Sequence, residues 1–255
     1  MSTQQLQDIM GLFRSKIKGE ITMINLYGSQ VRGYGLPTSD VDAFIVYHNT
    51  SPSILRDKGV HHFVEGNIDV TAVEFSEYLR RMAACDPHIV LGSMGRPLLI
   101  EDSMVNLRKD VNKAVTSTGA VDLGNKLLSR IKAMYEFGNE KRPSLKDDIF
   151  CTYALGFVEK MIKAPEGLED LPTITSGHPV VQSYVNELTW GNRLLMTEDQ
   201  MDMLAGHSVN VKADLNKRSH PTVIQGKGHK QHEGDETDLT IEIGLAAERH
   251  WEEWV

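Results

Sequence analysis

Residues 26–47 read LYGSQVRGYGLPTSDVDAFIVY, and this stretch decides the fold. A buried strand delivers Gly28 and Ser29 into a turn, and a second strand follows with Asp40 and Asp42 at its start. Because residues i and i+2 of a strand point to the same face, the two carboxylates project together from one edge of a sheet. Two acids this close repel each other unless a cation lies between them, and hard oxygen ligands suit Mg²⁺.

The turn at Gly28 suits phosphate groups. Gly28 lets the backbone approach a phosphate without a Cβ in the way, while the Ser29 hydroxyl and the following N–H groups can donate to phosphate oxygens. Asp69 heads a later apolar strand, where its carboxylate could join the same metal cluster and accept the proton of an attacking hydroxyl. Glu65 and Glu74 are nearby alternatives for this third carboxylate. Together these residues predict a site for a metal and a triphosphate.

The roles of the cationic and histidine side chains are less clearly indicated by the sequence. Arg32 either reaches a triphosphate oxygen or lies solvated after the turn. Basic residues from Arg80 to Lys146 either line a groove for a polyanionic acceptor or cover solvated helix faces. His61, His62 and the later histidines lack cysteine partners, and we interpret them as surface residues in loops.

The composition limits the class of protein. The net charge of the 255 residues is −8, which argues against a surface that binds nucleic acid everywhere but not against a local basic groove. Cys85 and Cys151 are the only cysteines and fit a reduced compartment. Residues 1–20 lack the apolar run of a secretory signal, and no stretch approaches the ~18 apolar residues of a membrane span. We therefore expect a cytoplasmic protein with no membrane partner.

Apolar spacing predicts the elements of the N-terminal part. On the strand at 68–75, alternation places Asp69 and Thr71 on one face and Val70 and Ala72 on the other. The predicted elements are a helix at 6–17, strands at 21–26, 43–47, 68–75 and 97–101, and helices at 78–84 and 103–115, the last capped by Ser103.

From Asp122 onward the apolar spacing is helical, which predicts a second, helical domain. The small polar stretch STGA at 117–120 is the expected boundary, so the predicted domains are 1–116 and 121–255. The block Lys212–Glu242 carries basic and then acidic residues with several glycines. It predicts a long flexible loop before a final helix at 239–254.

Seven residues over fifteen positions, with one further carboxylate, carry a family resemblance. They read Gly28-Ser29-x-x-Arg32-Gly33-x5-Ser39-Asp40-x-Asp42, with Asp69 in a later strand. This pattern resembles the signature of the DNA polymerase beta superfamily of nucleotidyltransferases. More loosely, residues 67–87 and a helix at 146–163 are similar to bacterial and phage nucleotidyltransferases associated with RNA ligases, although those usually carry an aromatic residue in place of Arg32.

The resemblance implies an α/β (α+β) fold with a mixed sheet flanked by helices, followed by the helical domain. It also implies an enzyme that uses two Mg²⁺ or Mn²⁺ ions to transfer a nucleoside monophosphate from an NTP, with ATP favoured, to a hydroxyl. By the resemblance, Asp40, Asp42 and Asp69 are the catalytic and metal-binding residues, with Asp69 positioning or deprotonating the nucleophile, and the nucleotide-binding residues are Gly28, Ser29, Arg32 and Ser39.

Three functions remain open at this point. The first is transfer to a nucleic-acid end, with RNA expected from the looser resemblance and the basic residues. The second is adenylyl transfer to a small molecule or a protein hydroxyl, which the charge of −8 favours slightly because an acidic cleft attracts a cationic acceptor. The third is a nucleotide-binding regulator without catalysis. The complete set of three carboxylates argues against that third function.

Overall fold

A computed structural model describes residues 3–33, 35, 39–49, 59–136, 144–173, 196, 198–219 and 234–251. In chain order its elements are α1 Thr3–Lys16, β1 Gly19–Leu26, α2 Gly28–Arg32, β2 Val41–Asn49, β3 Val60–Glu65, β4 Ile68–Glu74, α3 Phe75–Ala83, α4 Pro87–Ser93, β5 Arg96–Ile100, α5 Asp102–Ser117, α6 Ala120–Glu136, α7 Leu145–Lys163, α8 Glu198–Ser219 and α9 Gly234–Trp251.

The five strands form one mixed sheet in the order β3-β4-β2-β1-β5. β2 and β4 run parallel, whereas the pairs β1–β2, β1–β5 and β3–β4 are antiparallel. The parallel pair requires a crossover, and β3 forms part of the connection between its two strands. The α/β fold with a mixed sheet flanked by helices is confirmed.

The two faces of the sheet bury different sets of side chains. The first set packs against α1, and we call it the α1-face core: Ile9, Leu12, Phe13, Ile24, Leu26, Val41, Ala43, Ile45, Tyr47, Val70 and Ala72. The second set starts on the other face with Phe44, Val46 and Val73, and continues without a break into α3–α9; we call it the helical-face core. The alternation predicted for β4 is confirmed, because Val70 and Val73 belong to different cores.

The expected domain boundary coincides with a short turn. α5 ends at Ser117 and α6 begins at Ala120, so residues 118 and 119 join two packed helices. Leu123, Leu127 and Ile131 of α6 lie in the same helical-face core as the sheet residues. The two predicted domains, 1–116 and 121–255, therefore share one hydrophobic core, and the division between them stays a prediction.

Several predicted ends differ from the structure. β4 ends at Glu74 rather than at Phe75, because the Glu74 carboxylate caps α3 by accepting hydrogen bonds from Ser76 N and Glu77 N. Ser103 as the cap of α5 is wrong: the helix begins at Asp102 with Glu101 in the cap position, which places Ser103 in the first turn.

The structure also contains elements that the sequence did not predict. α2, β3 and α4 are short, and β3 is an edge strand with mostly exposed side chains, so its apolar signal is weak. His61 and His62 lie on β3, so their assignment to a loop is wrong.

The predicted loop at Lys212–Glu242 is wrong at both ends. Its first residues belong to α8, because Val211 and Leu215 bury their side chains in the helical-face core. Gly124 of α6 gives Leu215 the space to do so, since a Cβ on Gly124 would lie 2.6 Å from Leu215 Cδ2. Residues 234–242 belong to α9, and residues 220–233 lie outside the described residues.

None of the described helices is both long and apolar enough to cross a membrane.

Candidate active site

The glycine turn is built around Asp42. β1 ends at Leu26, and Tyr27 N donates a hydrogen bond to the main-chain oxygen of Asp42 at 3.0 Å. Gly28 then adopts a φ of +69°, and a Cβ on it would overlap Asp42 Oδ2. Glycine is therefore needed here twice: for its left-handed backbone and for the close approach of a carboxylate. The sequence predicted only that a Cβ would obstruct a phosphate.

The turn continues directly into α2. Ser29 is half-buried on this short helix, which ends at Gly33, where φ is +92° and the N–H donates to Ser29 O. Gln30 Nε2 donates to the main-chain oxygens of Ser39 and Asp40, at 3.2 and 3.3 Å. These bonds tie α2 to the segment that leads into β2.

Two of the three predicted carboxylates are strand neighbours. In the parallel pairing of β2 with β4, Asp42 is the register partner of Asp69, and both lie on the sheet face that bears α3 and α4. Partners on adjacent strands have Cα atoms about 4.8 Å apart. Asp40 lies one residue before β2 and is exposed.

The alternatives for the third carboxylate lie elsewhere on the sheet. Glu65 is the register partner of Ile68, whose side chain belongs to the α1 face. Glu74 pairs with Tyr47 at the far end of β4 and caps α3. The register therefore favours Asp69 over both as the partner of Asp42.

A polar network borders the two carboxylates. Thr71 Oγ1 lies 3.2 Å from the Tyr27 hydroxyl and 3.0 Å from His88 Nε2, and the Tyr27 and His88 rings meet edge to face at 5.7 Å. Burial raises the pKa of Tyr27 to about 12, and the negative charges of Asp42 and Asp69 act in the same direction. The tyrosine hydroxyl is therefore neutral and can donate a hydrogen bond beside the carboxylates.

His88 is uncharged for a related reason. Burial lowers its pKa, and the positive charges of Arg130 and Arg32 lower it further against the opposing effect of Asp86. Sequence analysis did not identify His88, because α4, on which it lies, was not predicted. Thr71 was detectable, since strand alternation places it on the face of Asp69.

His62 contacts Asp69 from the neighbouring edge strand. Its Nε2 atom lies 2.7 Å from Asp69 Oδ1, whereas this buried oxygen accepts no hydrogen bond of acceptable geometry. The pair is therefore an electrostatic contact rather than an aligned hydrogen bond. A buried carboxylate oxygen without a donor is suited to a cation.

The residues present fit a divalent metal ion in part. Within the described residues, no three His, Cys, Asp or Glu side chains converge closely enough to bind one ion, so Asp40 does not complete a cluster with the other two. Mg²⁺ typically binds one or two carboxylates, keeps several waters and takes its remaining ligands from substrate phosphates. Asp42 and Asp69 meet that requirement without a third protein ligand.

Arg32 lies between the glycine turn and the C-terminal helices. It is only 8% exposed, and its guanidinium carbon lies 5.5 Å from the Phe150 ring centroid and 5.2 Å from that of Tyr153. Such distances are typical of cation–π contacts. Arg130 of α6 lies 5.2 Å from the same Phe150 ring. The reading of Arg32 as a solvated residue is wrong, and its contact with a triphosphate stays a prediction.

The basic residues of α3 pair with acids on the protein surface. Arg80 and Arg81 both bond to Glu77, whose pKa their hydrogen bonds hold at about 2, and Arg81 also contacts Asp86 at 2.8 Å. Lys126 of α6 pairs in the same way with Asp122 at 2.5 Å. Residues 141 and 142 lie outside the described residues. The paired cations favour solvated helix faces over a groove at this position.

Comparisons with known proteins agree with this geometry. Residues 8–109 match the family model described as the nucleotidyltransferase domain. This range contains the glycine turn and all three predicted aspartates. A search of curated proteins finds no match.

Among solved structures, a nucleotidyltransferase-like protein from Exiguobacterium sibiricum 255-15 is 12% identical to this chain. The match covers 98% of this chain and 91% of that one, with a TM-score of 0.32. The similarity to the nucleotidyltransferase domain covers residues 8–109, the part of the chain that holds the sheet and the candidate site.

Proposed function

We propose that the protein transfers a nucleoside monophosphate from an NTP, ATP by expectation, to a hydroxyl at an RNA end, with Mg²⁺ or Mn²⁺ as cofactor. The observation that carries this proposal is the register pairing of Asp42 with Asp69, directly beside a glycine that leaves room for the Asp42 carboxylate. The match of residues 8–109 to the nucleotidyltransferase domain supports nucleotidyl transfer in general.

Each residue of the site has a role in this reaction. The acceptor oxygen attacks the α-phosphorus, its proton passes to Asp69, and the bond to the β-phosphate breaks so that pyrophosphate leaves. Asp42 and Asp69 would hold the metal, and Asp40, on the segment that leads into β2, is proposed to reach it only when a nucleotide is bound. When bound, the metal neutralises phosphate charge and activates the attacking oxygen. Ser29 and the N–H groups of the turn would bind phosphate oxygens, with Arg32 and Ser39 nearby.

An RNA acceptor is supported by the cationic side chains around the carboxylates. Arg130 is exposed and lies close to the site, because its guanidinium contacts the same Phe150 ring as that of Arg32. Cations near the site attract a polyanion to a protein whose overall charge is negative.

The test follows the label from each of the four NTPs, radiolabelled at the α-phosphate. Purified protein is incubated with Mg²⁺, total RNA and one NTP, and RNA, protein and small molecules are then separated. We expect label that ribonuclease releases and protease does not, and no label with EDTA or in the Asp42→Asn variant. Label in protein or in an added aminoglycoside would overturn the RNA acceptor. Saturable NTP binding without any transfer would overturn the enzyme in favour of a nucleotide-binding regulator.

A further inference from the structure

A cavity of about 560 Å³ lies against α2, and neither Asp42 nor Asp69 lines it. α2 and the Gly33 that follows it contribute one wall, and the residues from Met94 into β5, the helix α5 and the segment at 170–173 form the rest. Cavities that bind small molecules have volumes of roughly 300 to 1,000 Å³. This cavity therefore has the size of a ligand site.

The cavity opens at the same sheet edge as the candidate active site. Leu26 of β1 is the register partner both of Ala43, next to Asp42, and of Arg96, which lines the cavity. Strand neighbours are about 4.8 Å apart, so Arg96 lies two strand spacings from Ala43, the residue after Asp42. The cavity is thus a separate space that shares α2 with the glycine turn.

Its walls are held in place by buried polar contacts. Leu171 N donates to Met94 O at 2.9 Å, and Asn112 Nδ2 donates to Glu169 O at 2.8 Å. Arg108 of α5 donates from Nε to Ser93 O, and from Nη2 to Gly95 O. These bonds fix the segment after α7 against α5 and the start of β5, so the cavity is preformed.

The charges around the cavity are mostly positive. Arg96, Arg108 and Lys109 line it, against the single carboxylate of Asp170. The Arg108 side chain is only 4% exposed and pairs with Asp170 through Nη2, whereas its Nη1 makes no hydrogen bond with the part of the chain that the structure describes. Arg96 is exposed and forms no ion pair with those residues. An anionic group therefore finds donors that no protein carboxylate occupies.

The remaining wall is apolar. Val31, Met94, Pro97, Val105 and Leu171 contribute aliphatic surface between the charged groups. Apolar walls with a few polar groups bind the body of a small molecule and orient its charged end. An inorganic ion would make no contact with this apolar surface.

We infer that this cavity is a second ligand site, which binds a small organic anion with an apolar or aromatic body and a phosphate or carboxylate group. The body packs between the walls of α2 and α5, and the anionic group is bound by Arg96 and the Nη1 side of Arg108. The inference does not depend on the proposed function, because no residue of the carboxylate pair lines the cavity.

Isothermal titration calorimetry with defined probes tests this site. The probes are AMP, 1-naphthoate, the neutral adenosine and inorganic phosphate, each titrated into the full-length protein in EDTA. We expect one saturable site per chain for AMP or 1-naphthoate, and at least tenfold weaker binding of adenosine and of inorganic phosphate. Whichever anion binds more tightly identifies a phosphate or a carboxylate ligand.

Variants locate the binding. Arg96→Gln should raise the Kd of the bound anion about tenfold, because a charge-assisted contact is lost. Val105→Trp should abolish binding by filling the cavity. Matched controls are Arg14→Gln on α1 and the exposed Asn106→Trp on α5, which should bind like wild type, as should Asp42→Asn.

Thermal unfolding confirms that each variant is folded before titration. Absence of saturable binding to the wild-type protein would overturn the inference. So would equal affinity for adenosine and AMP, or unchanged binding in folded Arg96→Gln and Val105→Trp variants. Loss of binding in Asp42→Asn would assign the anion to the active site instead.

Discussion

Both faces of the sheet bury a hydrophobic core, but only the helical face carries polar side chains at its edge, although the two faces come from alternate residues of the same strands. The α1 face is closed by aliphatic and aromatic side chains, among them Ala43, Ile45 and Val70. At the edge of the other face, the register partners Asp42 and Asp69 lie near Thr71, which is on the same face of β4 as Asp69 and contacts Tyr27 and His88. Consecutive residues of one strand therefore have different roles: Asp42 belongs to the candidate site, and its neighbour Ala43 packs in the α1-face core. Substitutions at neighbouring positions should therefore change either transfer or stability.

The largest expected effect on transfer belongs to Asp42→Asn. The variant removes the charge that holds the metal against the triphosphate, a stabilisation of several kcal/mol. At 1.36 kcal/mol per tenfold, the transfer rate should fall roughly 10⁴-fold. The midpoint of thermal unfolding should not fall, because one of two repelling carboxylates is neutralised. Near-normal turnover in this variant would contradict a metal site at Asp42.

Asp69→Asn should reduce transfer by a somewhat smaller factor, and it should weaken Mg²⁺-dependent NTP binding less than it weakens transfer, because Asp42 still binds the metal. Accepting the proton of the attacking hydroxyl is worth about 10² to 10⁴ in rate, and this contribution arises only in the chemical step. NTP titration beside single-turnover transfer measures both quantities on one protein. If the variant transfers at the wild-type rate, Asp69 is not the third carboxylate.

Gly28→Ala should lower transfer about 10- to 100-fold, since the new Cβ overlaps Asp42 Oδ2 and must displace the carboxylate. Gly66→Ala is the matched control: its φ of +60° imposes the same backbone strain, but no atom lies within 4 Å of its added Cβ. Each variant should lose about 1 to 2 kcal/mol of stability from the left-handed backbone. Equal transfer rates in the two variants would show that Gly28 has only a structural role in the turn.

Ile45→Val should leave the transfer rate unchanged. Ile45 is fully buried in the α1-face core, so the lost methyl group should lower the free energy of unfolding by about 0.5 to 1.5 kcal/mol. Thermal unfolding and single-turnover transfer on the same sample measure the two effects. A fall in transfer of more than a few fold, in a fully folded sample, would show that the faces are not independent.

The parts of the site that lie close in sequence were predictable, and the parts that meet through packing were not. Strand periodicity predicted that Asp42 and Asp69 lie at one edge of the sheet, which the register shows, whereas Asp40, predicted to project together with Asp42, lies before β2 and forms no three-ligand cluster among the described residues. The close approach of Gly28 to the Asp42 carboxylate could not be predicted from the sequence, because it depends on how β1 and β2 pair. His88 and Phe150 reach the site from helices whose placement depends on the helical-face core, so no local pattern identified them.

Edge strands and polar helices explain the remaining differences in the fold. β3 carries exposed side chains on a sheet edge, so its alternation lacks an apolar face. The charged part of α8 is helical because Val211 and Leu215, four residues apart, pack against the core, while its composition resembles that of a loop.

The most direct test of the central claim compares NTP labelled at the α-phosphate with NTP labelled at the γ-phosphate, using wild type and Asp42→Asn. If the carboxylate pair beside Gly28 catalyses nucleotidyl transfer, wild type should attach only the α label to the acceptor and release the γ label in pyrophosphate. The Asp42→Asn variant should do neither. Attachment of the γ label to the acceptor, or attachment of the α label by Asp42→Asn at the wild-type rate, would contradict the account.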